Sequence, residues 1–111
     1  MNTAHFPIRT VAIVGGTHGN EFSGIYLEKR YRQQPELMTR SSFSCRTLFA
    51  NPEAHAANKR YVQSDLNRQF KTADLANPLL SNYEQSRAKV INAELGPKGA
   101  ADLHRQLTQR T

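Results

Sequence analysis

The clearest candidate for chemistry in this sequence is a histidine and a glutamate three positions apart, His18 and Glu21, directly after a pair of glycines. Residues three apart at the start of a helix face the same way. An imidazole nitrogen and a carboxylate oxygen both bind zinc, and a zinc held by three protein groups keeps a position open for water. The spacing therefore predicts one divalent metal site. Taken alone, the pair also fits a surface histidine beside a glutamate that stabilises the helix dipole.

A second polar block lies in residues 60–70, which read RYVQSDLNRQF. Together with residues 14–21, VGGTHGNE, it resembles the signature motifs of the aspartoacylase and succinylglutamate desuccinylase family, and its aspartoacylase branch most of all. The resemblance extends through Asn51-Pro52 and Gly96-Pro97-Lys98, so it covers nearly everything from Val11 to Lys98. It implies a fold related to that of the zinc carboxypeptidases.

The resemblance implies one zinc ion per chain. His18 and Glu21 match two of the three zinc ligands of the family. The third ligand is a histidine in an Asp-Leu-His triplet at the end of an apolar strand, and His104 closes such a triplet here. The residues on both sides of the triplet, 99–101 and 105–107, depart from the family pattern, because they supply no apolar strand to hold His104 against a metal.

The resemblance also implies contacts with a substrate. Arg60 matches the catalytic arginine that polarises the scissile carbonyl and stabilises its oxyanion. Asn67 and Arg68 match the pair that holds the α-carboxylate of the substrate, and Asp65 matches a supporting residue that orients the arginine side chains. Each also has a plain structural interpretation, with Asp65 as an N-cap and the arginines as solvated charges.

The activity implied by the resemblance is zinc-dependent amide hydrolysis, in which an N-acyl amino acid such as N-acetyl-aspartate is cleaved to a carboxylate and the free amino acid. The general-base glutamate of the family and its C-terminal β-rich domain have no match up to Thr111. General-base catalysis typically contributes a rate factor of about 10² to 10⁴. A truncated, non-catalytic remnant of such an enzyme therefore stays open as the alternative.

Strands followed by helices are the predicted scaffold for these residues. The β-branched run from Thr10 to Val14 predicts a buried strand that ends at the two glycines. Asn20 is the predicted N-cap of a helix from Glu21 to Tyr31, and Pro35 closes the helical region. The residues at helical spacing form its predicted buried face: Phe22, Ile25 and Tyr26.

The second half of the chain predicts a strand, a long loop and a helix. Side chains alternate from Phe43 to Phe49 as in a strand. Residues 51–78 lose this periodicity and predict a long loop with one short helix near residues 53–58. Ser81 and Glu84 form the predicted capping box of a helix that Gly96 ends. Its predicted buried face consists of Tyr83, Val90, Ile91 and Leu95.

The order of elements predicts the α/β fold class, with a mostly parallel or mixed central sheet flanked by helices and incomplete in this chain. On this interpretation residues 1–111 are a single, partial zinc-binding catalytic domain with an irregular tail at residues 99–111. Ligand sites of such folds lie beyond the carboxyl ends of the strands. The loop with His18 and Glu21 has that position.

The composition limits the partners. A net charge of +6 fits a nucleic-acid-binding module, but the basic residues are scattered without clustered aromatics, which makes this the weaker alternative. The surplus of arginine suits a small anionic substrate. No apolar run predicts a signal peptide or a membrane partner. Cys45 is the only cysteine, so it forms no internal disulfide, and a cytoplasmic setting is expected, with homo-oligomerisation left open.

The remaining candidates receive structural interpretations. Cys45 lies in an apolar stretch and is predicted to be a buried strand residue rather than a reactive thiol. His5 and His55 match no motif and are predicted to be surface residues. Tyr61 and Phe70 are predicted to pack rather than to contact a substrate.

Overall fold

A two-stranded parallel sheet lies at the centre of the computed structural model, which describes residues 8–98. Strand β1 spans Thr10–Gly15 and strand β2 spans Ser44–Phe49, with Thr10 opposite Ser44 and Gly15 opposite Phe49. Both predicted strands and their parallel order are therefore confirmed. The predicted tail at residues 99–111, with His104, and also His5, lie outside the described residues.

Helix α1, Phe22–Gln33, connects the two strands and packs against both. It begins one residue later than predicted, because Glu21 rather than Asn20 occupies the N-cap position, and it ends before a 3-10 turn at Pro35–Leu37. Ile25 is buried as predicted, and the other buried residue of the helix is Glu28. Phe22 and Tyr26 are 56% and 61% exposed. The predicted apolar face is thus wrong at these two positions, because the narrow sheet covers only one stripe of the helix.

The segment between β2 and the last helix has more structure than a long loop. Helix α2 spans Pro52–Ala56, close to the predicted short helix. A 3-10 turn at Leu66–Arg68 and helix α3, Thr72–Leu75, were not predicted. These pieces are three and four residues long, too short to show a helical period in the sequence.

Helix α4, Tyr83–Leu95, confirms the predicted last helix, which Gly96 ends. Its capping box is formed by Asn82 and Gln85, one residue after the predicted Ser81 and Glu84. The predicted capping role of Glu84 is therefore wrong, because the shift by one residue turns this side chain away from the helix end. Glu84 is instead fully buried.

The buried face of α4 packs on the main apolar cluster. Ala88 and Ile91 belong to it, whereas Val90 and Leu95, both predicted to be buried, are 45% and 36% exposed. The buried members of the cluster are Leu48, Ala50, Leu66, Ala88 and Ile91, with Phe70 and Leu75 packed at its edge. The core thus joins the end of β2, the turn at Leu66 and α4.

The two longer helices cover opposite faces of the sheet. Side chains alternate across a strand, and Leu48 points into the cluster under α4. Its neighbour Phe49 therefore points to the other face, where its ring lies near Ile25 of α1 around Gly16. This is the α/β layering that the sequence predicted. Cys45 lies in β2 as predicted, but it is half-buried rather than buried. None of the helices in residues 8–98 has the length and apolar character that crossing a bilayer requires.

Candidate active site

The predicted site residues within residues 8–98 follow the carboxyl ends of the two strands, with the histidine loop after β1 and residues 60–68 after β2. The parallel pairing continues past the strands, because Ala50 and Asn51 donate their backbone N–H groups to the carbonyls of Gly15 and Gly16 at 2.9 and 3.0 Å. Gly16 has a φ of +74°, and a Cβ there would lie 2.7 Å from the Phe49 ring. The glycine therefore permits the turn that leads from β1 into the loop carrying His18.

His18 is in contact with two carboxylates, one on each side of its ring. Nδ1 faces Oε1 of Glu21, and Nε2 lies 2.9 Å from Oδ1 of Asp65. A neutral imidazole that donates Nε2–H to Asp65 presents a lone pair at Nδ1. Two acceptors then face each other at Nδ1 and Oε1, and either a proton on Nδ1 or a cation satisfies both. The contact between His18 and Asp65 was not anticipated from the sequence.

Asp65 connects the histidine to the arginines of the second motif. Its side chain caps the 3-10 turn by accepting the N–H of Asn67 at 3.0 Å, so the N-cap interpretation holds beside the other contacts. Oδ2 lies 3.6 Å from Nη2 of Arg60 and 3.8 Å from Nε of Arg68. Burial raises the pKa of Asp65, but hydrogen bonds from His18 and the Asn67 amide, with the nearby positive charge, outweigh it and leave the pKa below 3.8.

Backbone contacts hold the Arg60 segment against the histidine loop. Gly19 donates its N–H to the carbonyl of Arg60 at 3.1 Å. A Cβ at Gly19 would lie 2.3 to 2.5 Å from backbone atoms of Ala54, His55 and Lys59, so this approach requires a glycine. The Arg60 side chain itself is 55% exposed, so a ligand can reach its guanidinium.

His55 is a structural residue of the site rather than the predicted surface residue. Its Nδ1 lies 3.0 Å from the carbonyl of Gly19, which can only accept, so Nδ1 donates. Its ring lies 5.7 Å from Phe22 and 5.6 Å from Phe49, between α1 and the end of β2. The surface prediction for His55 is therefore wrong. No motif marks this residue, because its contacts come from three separate segments.

Glu84 is the second residue of the site that could not be identified from the sequence. Its Oε2 accepts hydrogen bonds from the Asn51 side-chain amide at 2.8 Å and from the Val62 N–H at 2.7 Å. Its Oε1 accepts the N–H groups of Gln63 and Ser64 at 2.9 and 3.0 Å. Burial raises the pKa of Glu84, but these hydrogen bonds lower it by more, so it lies below 4.5. The carboxylate is thus held in its charged form.

The predicted substrate residues Asn67 and Arg68 are exposed beside a basic depression of about 330 Å³. Its lining consists of Asn67, Arg68, Phe70, Lys71 and Lys98. Lys98 donates its ammonium group to the carbonyl of Phe70 at 2.7 Å. Phe70 packs against the core as predicted, whereas Tyr61 is 42% exposed and its packing prediction is wrong. Three cationic side chains around one depression suit an anionic ligand.

His18 and Glu21 are side chains of the types that bind metals, but two such groups are not a full ligand set. Within residues 8–98, no group of three or more histidine, cysteine, aspartate or glutamate side chains is arranged to hold a metal ion. Asp65 meets His18 through Nε2, on the side of the ring away from Glu21. The predicted third ligand, His104, lies outside the described residues.

Comparison with known proteins gives a consistent result. The family described as "Succinylglutamate desuccinylase/Aspartoacylase catalytic domain" matches residues 7–110. The chain is 58% identical over 92 residues to a "Probable aspartoacylase" of Trichodesmium erythraeum, covering 83% of this chain and 31% of the relative. It is 45% identical over 107 residues to the human "N-acyl-aromatic-L-amino acid amidohydrolase (carboxylate-forming)", covering 88% and 34%.

A solved structure supports the same assignment. Murine aminoacylase 3 matches with a TM-score of 0.76 and 42% sequence identity, over 87% of this chain and 32% of that chain. The match confirms the predicted fold class. The chain spans about a third of the length of the curated relatives that it matches.

Proposed function

Because the chain belongs to the succinylglutamate desuccinylase and aspartoacylase family, we propose that it forms the metal-binding and carboxylate-binding part of a zinc-dependent amide hydrolase. The substrate is an N-acyl amino acid such as N-acetyl-aspartate, and the products are a carboxylate and the free amino acid. One observation carries the proposal: Nδ1 of His18 faces the carboxylate of Glu21, while Asp65 holds the other ring nitrogen.

The donor chemistry at this position fits zinc. His18 supplies an imidazole nitrogen and Glu21 a carboxylate oxygen, and 62% of the Glu21 side chain is exposed, which leaves room for an ion and a further ligand. Histidines that bind metals commonly donate the other ring N–H to a carboxylate, as His18 can to Asp65. Zinc bound there would polarise a carbonyl and lower the pKa of a water molecule. His104 is the proposed third ligand of this single zinc.

Arg60 is proposed to stabilise the oxyanion that forms as the amide is attacked. The site for this charge must lie beside the metal donors, and the backbone bond from Gly19 to Arg60 keeps the two segments together. The guanidinium is 3.6 Å from Asp65, which restrains its orientation while leaving other N–H donors free. A fixed positive charge of this kind is most effective where charge develops in the transition state.

Asn67 and Arg68 are proposed to hold the α-carboxylate of the substrate, with Asp65 orienting the arginines. Both residues border the basic depression, and Arg68 is 81% exposed, so its donors are available to a ligand. The relatives carry names for different substrates, an aspartoacylase and an amidohydrolase for N-acyl aromatic amino acids. These substrates share the N-acyl group and the α-carboxylate, and it is this common part that the residues are proposed to bind. The proposed setting is the cytoplasm, without a nucleic-acid or membrane partner.

Zinc content tests the proposal directly. After dialysis against metal-free buffer, the full chain should retain about one zinc per molecule, as expected for a protein site of this type. His18→Ala and Glu21→Gln should lose it. Glu36→Gln, in the exposed 3-10 turn between α1 and β2, makes the same charge change away from the site and should retain it. A folded chain that retains no zinc would rule the proposal out.

Turnover provides the second test. Release of free amine from N-acetyl-aspartate and from an N-acetylated aromatic amino acid should be measured with the zinc-loaded chain. Preference for the first substrate would favour aspartoacylase-like specificity. Zinc retention without turnover of either would limit the proposal to metal and ligand binding.

A further inference from the structure

The buried carboxylate of Glu84 accepts hydrogen bonds from four N–H donors. These donors lie in two segments that belong to no helix or strand. Three of the donors are the consecutive backbone amides of Val62, Gln63 and Ser64, and the fourth is the side chain of Asn51. Glu84 is 0% exposed. A buried charge is costly unless it is fully hydrogen-bonded, and here all four contacts lie between 2.7 and 3.0 Å.

The segment bound by Glu84 lies directly between two proposed site residues, Arg60 and Asp65. Residues 62–64 have no helix or strand hydrogen bonds, so the carboxylate replaces a regular partner for their amides. Because Asp65 directly adjoins Ser64 in the chain, fixing this segment also fixes the position from which Asp65 reaches His18. The carboxylate therefore anchors the backbone immediately before Asp65.

The first turn of α4 holds the same segment by further contacts. The side-chain oxygen of Gln63 accepts the backbone N–H of Tyr83 at 2.5 Å. The hydroxyl of Ser64 lies 3.2 Å from Oδ1 of Asn82, the N-cap residue. The first bond satisfies a backbone N–H that the start of a helix leaves without a partner, and both bonds tie the segment to the same end of α4 as Glu84 does.

We propose that Glu84 is the positioning residue of the site: it sets the backbone of residues 62–64, and through it the place of Asp65 at Nε2 of His18 and of the Arg60 carbonyl at Gly19. Within residues 8–98, Glu84 makes no hydrogen bond to His18 or Glu21 and does not line the depression that would hold the substrate. The effect of Glu84 on hydrolysis rests on the proposed function, whereas its effect on residues 62–64 and on His18 does not.

Glu84→Gln is the informative substitution, because it preserves the shape of the side chain and replaces one acceptor oxygen by an amide donor. That donor would face N–H groups that are themselves donors. Glu94→Gln is the matched control on the same helix, since the Glu94 side chain is 46% exposed and, within the described part of the chain, pairs only with Arg46 at 3.3 Å. Both variants remove one negative charge from α4.

Two measurements on the metal-free full chain test the positioning role. Amide hydrogen exchange of Val62, Gln63 and Ser64 should be at least about tenfold faster in Glu84→Gln, while amides of β1 and β2 keep their protection. The ring-nitrogen NMR signals of His18, at a pH where the ring is neutral, should change from one dominant tautomer to a mixture. Glu94→Gln should alter neither. A role in general stability alone would not single out His18.

Unchanged exchange at residues 62–64, or an unchanged His18 spectrum in Glu84→Gln, would overturn the proposal. If the variant does not fold, hydrogen exchange in the unmodified chain is the test. The three amides should be protected about tenfold or more, although they lie outside every helix and strand. Exchange at the random-coil rate would refute their hydrogen bonds to Glu84. A chain that binds no zinc and cleaves no amide would refute the proposed function. Hydrogen exchange and the His18 signals would still test the positioning role of Glu84 in that case.

Discussion

At the level of single residues, the site depends on how His18 is shared between two carboxylates. Asp65 at Nε2 and Glu21 at Nδ1 determine which nitrogen carries a proton and which is left to face a ligand. The spacing of His18 and Glu21 in the sequence predicted their contact, because both lie on one short loop. The contact of His18 with Asp65 joins residues 47 positions apart, and such a pairing cannot be derived from local spacing.

Asp65→Asn should weaken zinc binding by about 10- to 100-fold, the usual effect of losing the carboxylate behind a metal-binding histidine. An amide at position 65 can still accept from the Asn67 N–H, so the turn at Leu66–Arg68 is retained. Competition with a chelator of known affinity measures the change. Asp74→Asn in α3 is the control and should leave the affinity unaltered. Equal affinities in all three proteins would exclude a role of Asp65 in holding His18.

The two arginines of the second motif should affect different kinetic constants. Arg60→Ala should lower kcat by about 10² to 10³, as expected for a group that acts on the developing oxyanion. Arg68→Ala should chiefly raise KM, by about tenfold, because it removes a contact made equally in the ground state and the transition state. Steady-state kinetics with N-acetyl-aspartate separates the two effects. Arg40→Ala is the control and should change neither constant, because among residues 8–98 the Arg40 guanidinium hydrogen-bonds only to the adjacent Thr39 carbonyl, at 2.7 Å.

At the level of elements, the sequence predicted the strands, the crossover helix and the last helix, because each is long enough to display a period and has clear end signals. It did not predict which helix face is buried. Phe22 and Val90 are apolar yet exposed, whereas Glu28 and Glu84 are charged yet buried. An apolar pattern shows which face could be covered, but the sheet in residues 8–98 is narrow and buries only a stripe of each helix.

Helix α4 should contribute a pH-dependent part of the stability through Glu84. The pKa of Glu84 is lowered below 4.5 in the folded chain, so its contribution is fully present above that pH and is lost as the pH falls through the lowered value. Chemical denaturation of the unmodified chain and of Glu84→Gln should therefore show a large difference in unfolding free energy near pH 7. The difference should shrink in acid below pH 4.5, and a constant difference across this range would contradict the assignment.

At the level of the whole molecule, the core and the site are built from the same turn. Leu66 is 0% exposed and belongs to the apolar cluster with Leu48, Ala88 and Ile91. Its neighbours in the turn are Asp65, which meets His18, and Asn67 at the basic depression. The sequence identified the flanking polar residues by motif, but the packing of Leu66 follows only from the arrangement of β2 and α4 around it.

Leu66→Ala should therefore damage stability and site together. Removing a fully buried leucine side chain typically costs about 2 to 5 kcal/mol, a large fraction of the roughly 5 to 15 kcal/mol that stabilises a small domain. Urea denaturation measures this loss. Leu79→Ala removes the same atoms from a side chain that is 86% exposed and should change the unfolding free energy by less than about 0.5 kcal/mol.

Zinc measurements on these two variants connect packing to the site. A ligand that binds only the folded chain stabilises it by about 2.7 kcal/mol at a hundred times its dissociation constant. Leu79→Ala should keep this increment in full. Leu66→Ala should show a smaller one even where it remains folded, because the turn that carries Asp65 loses its anchor in the core. If zinc stabilises Leu66→Ala as much as it stabilises the unmodified chain, the packing of Leu66 has no influence on the proposed metal ligands.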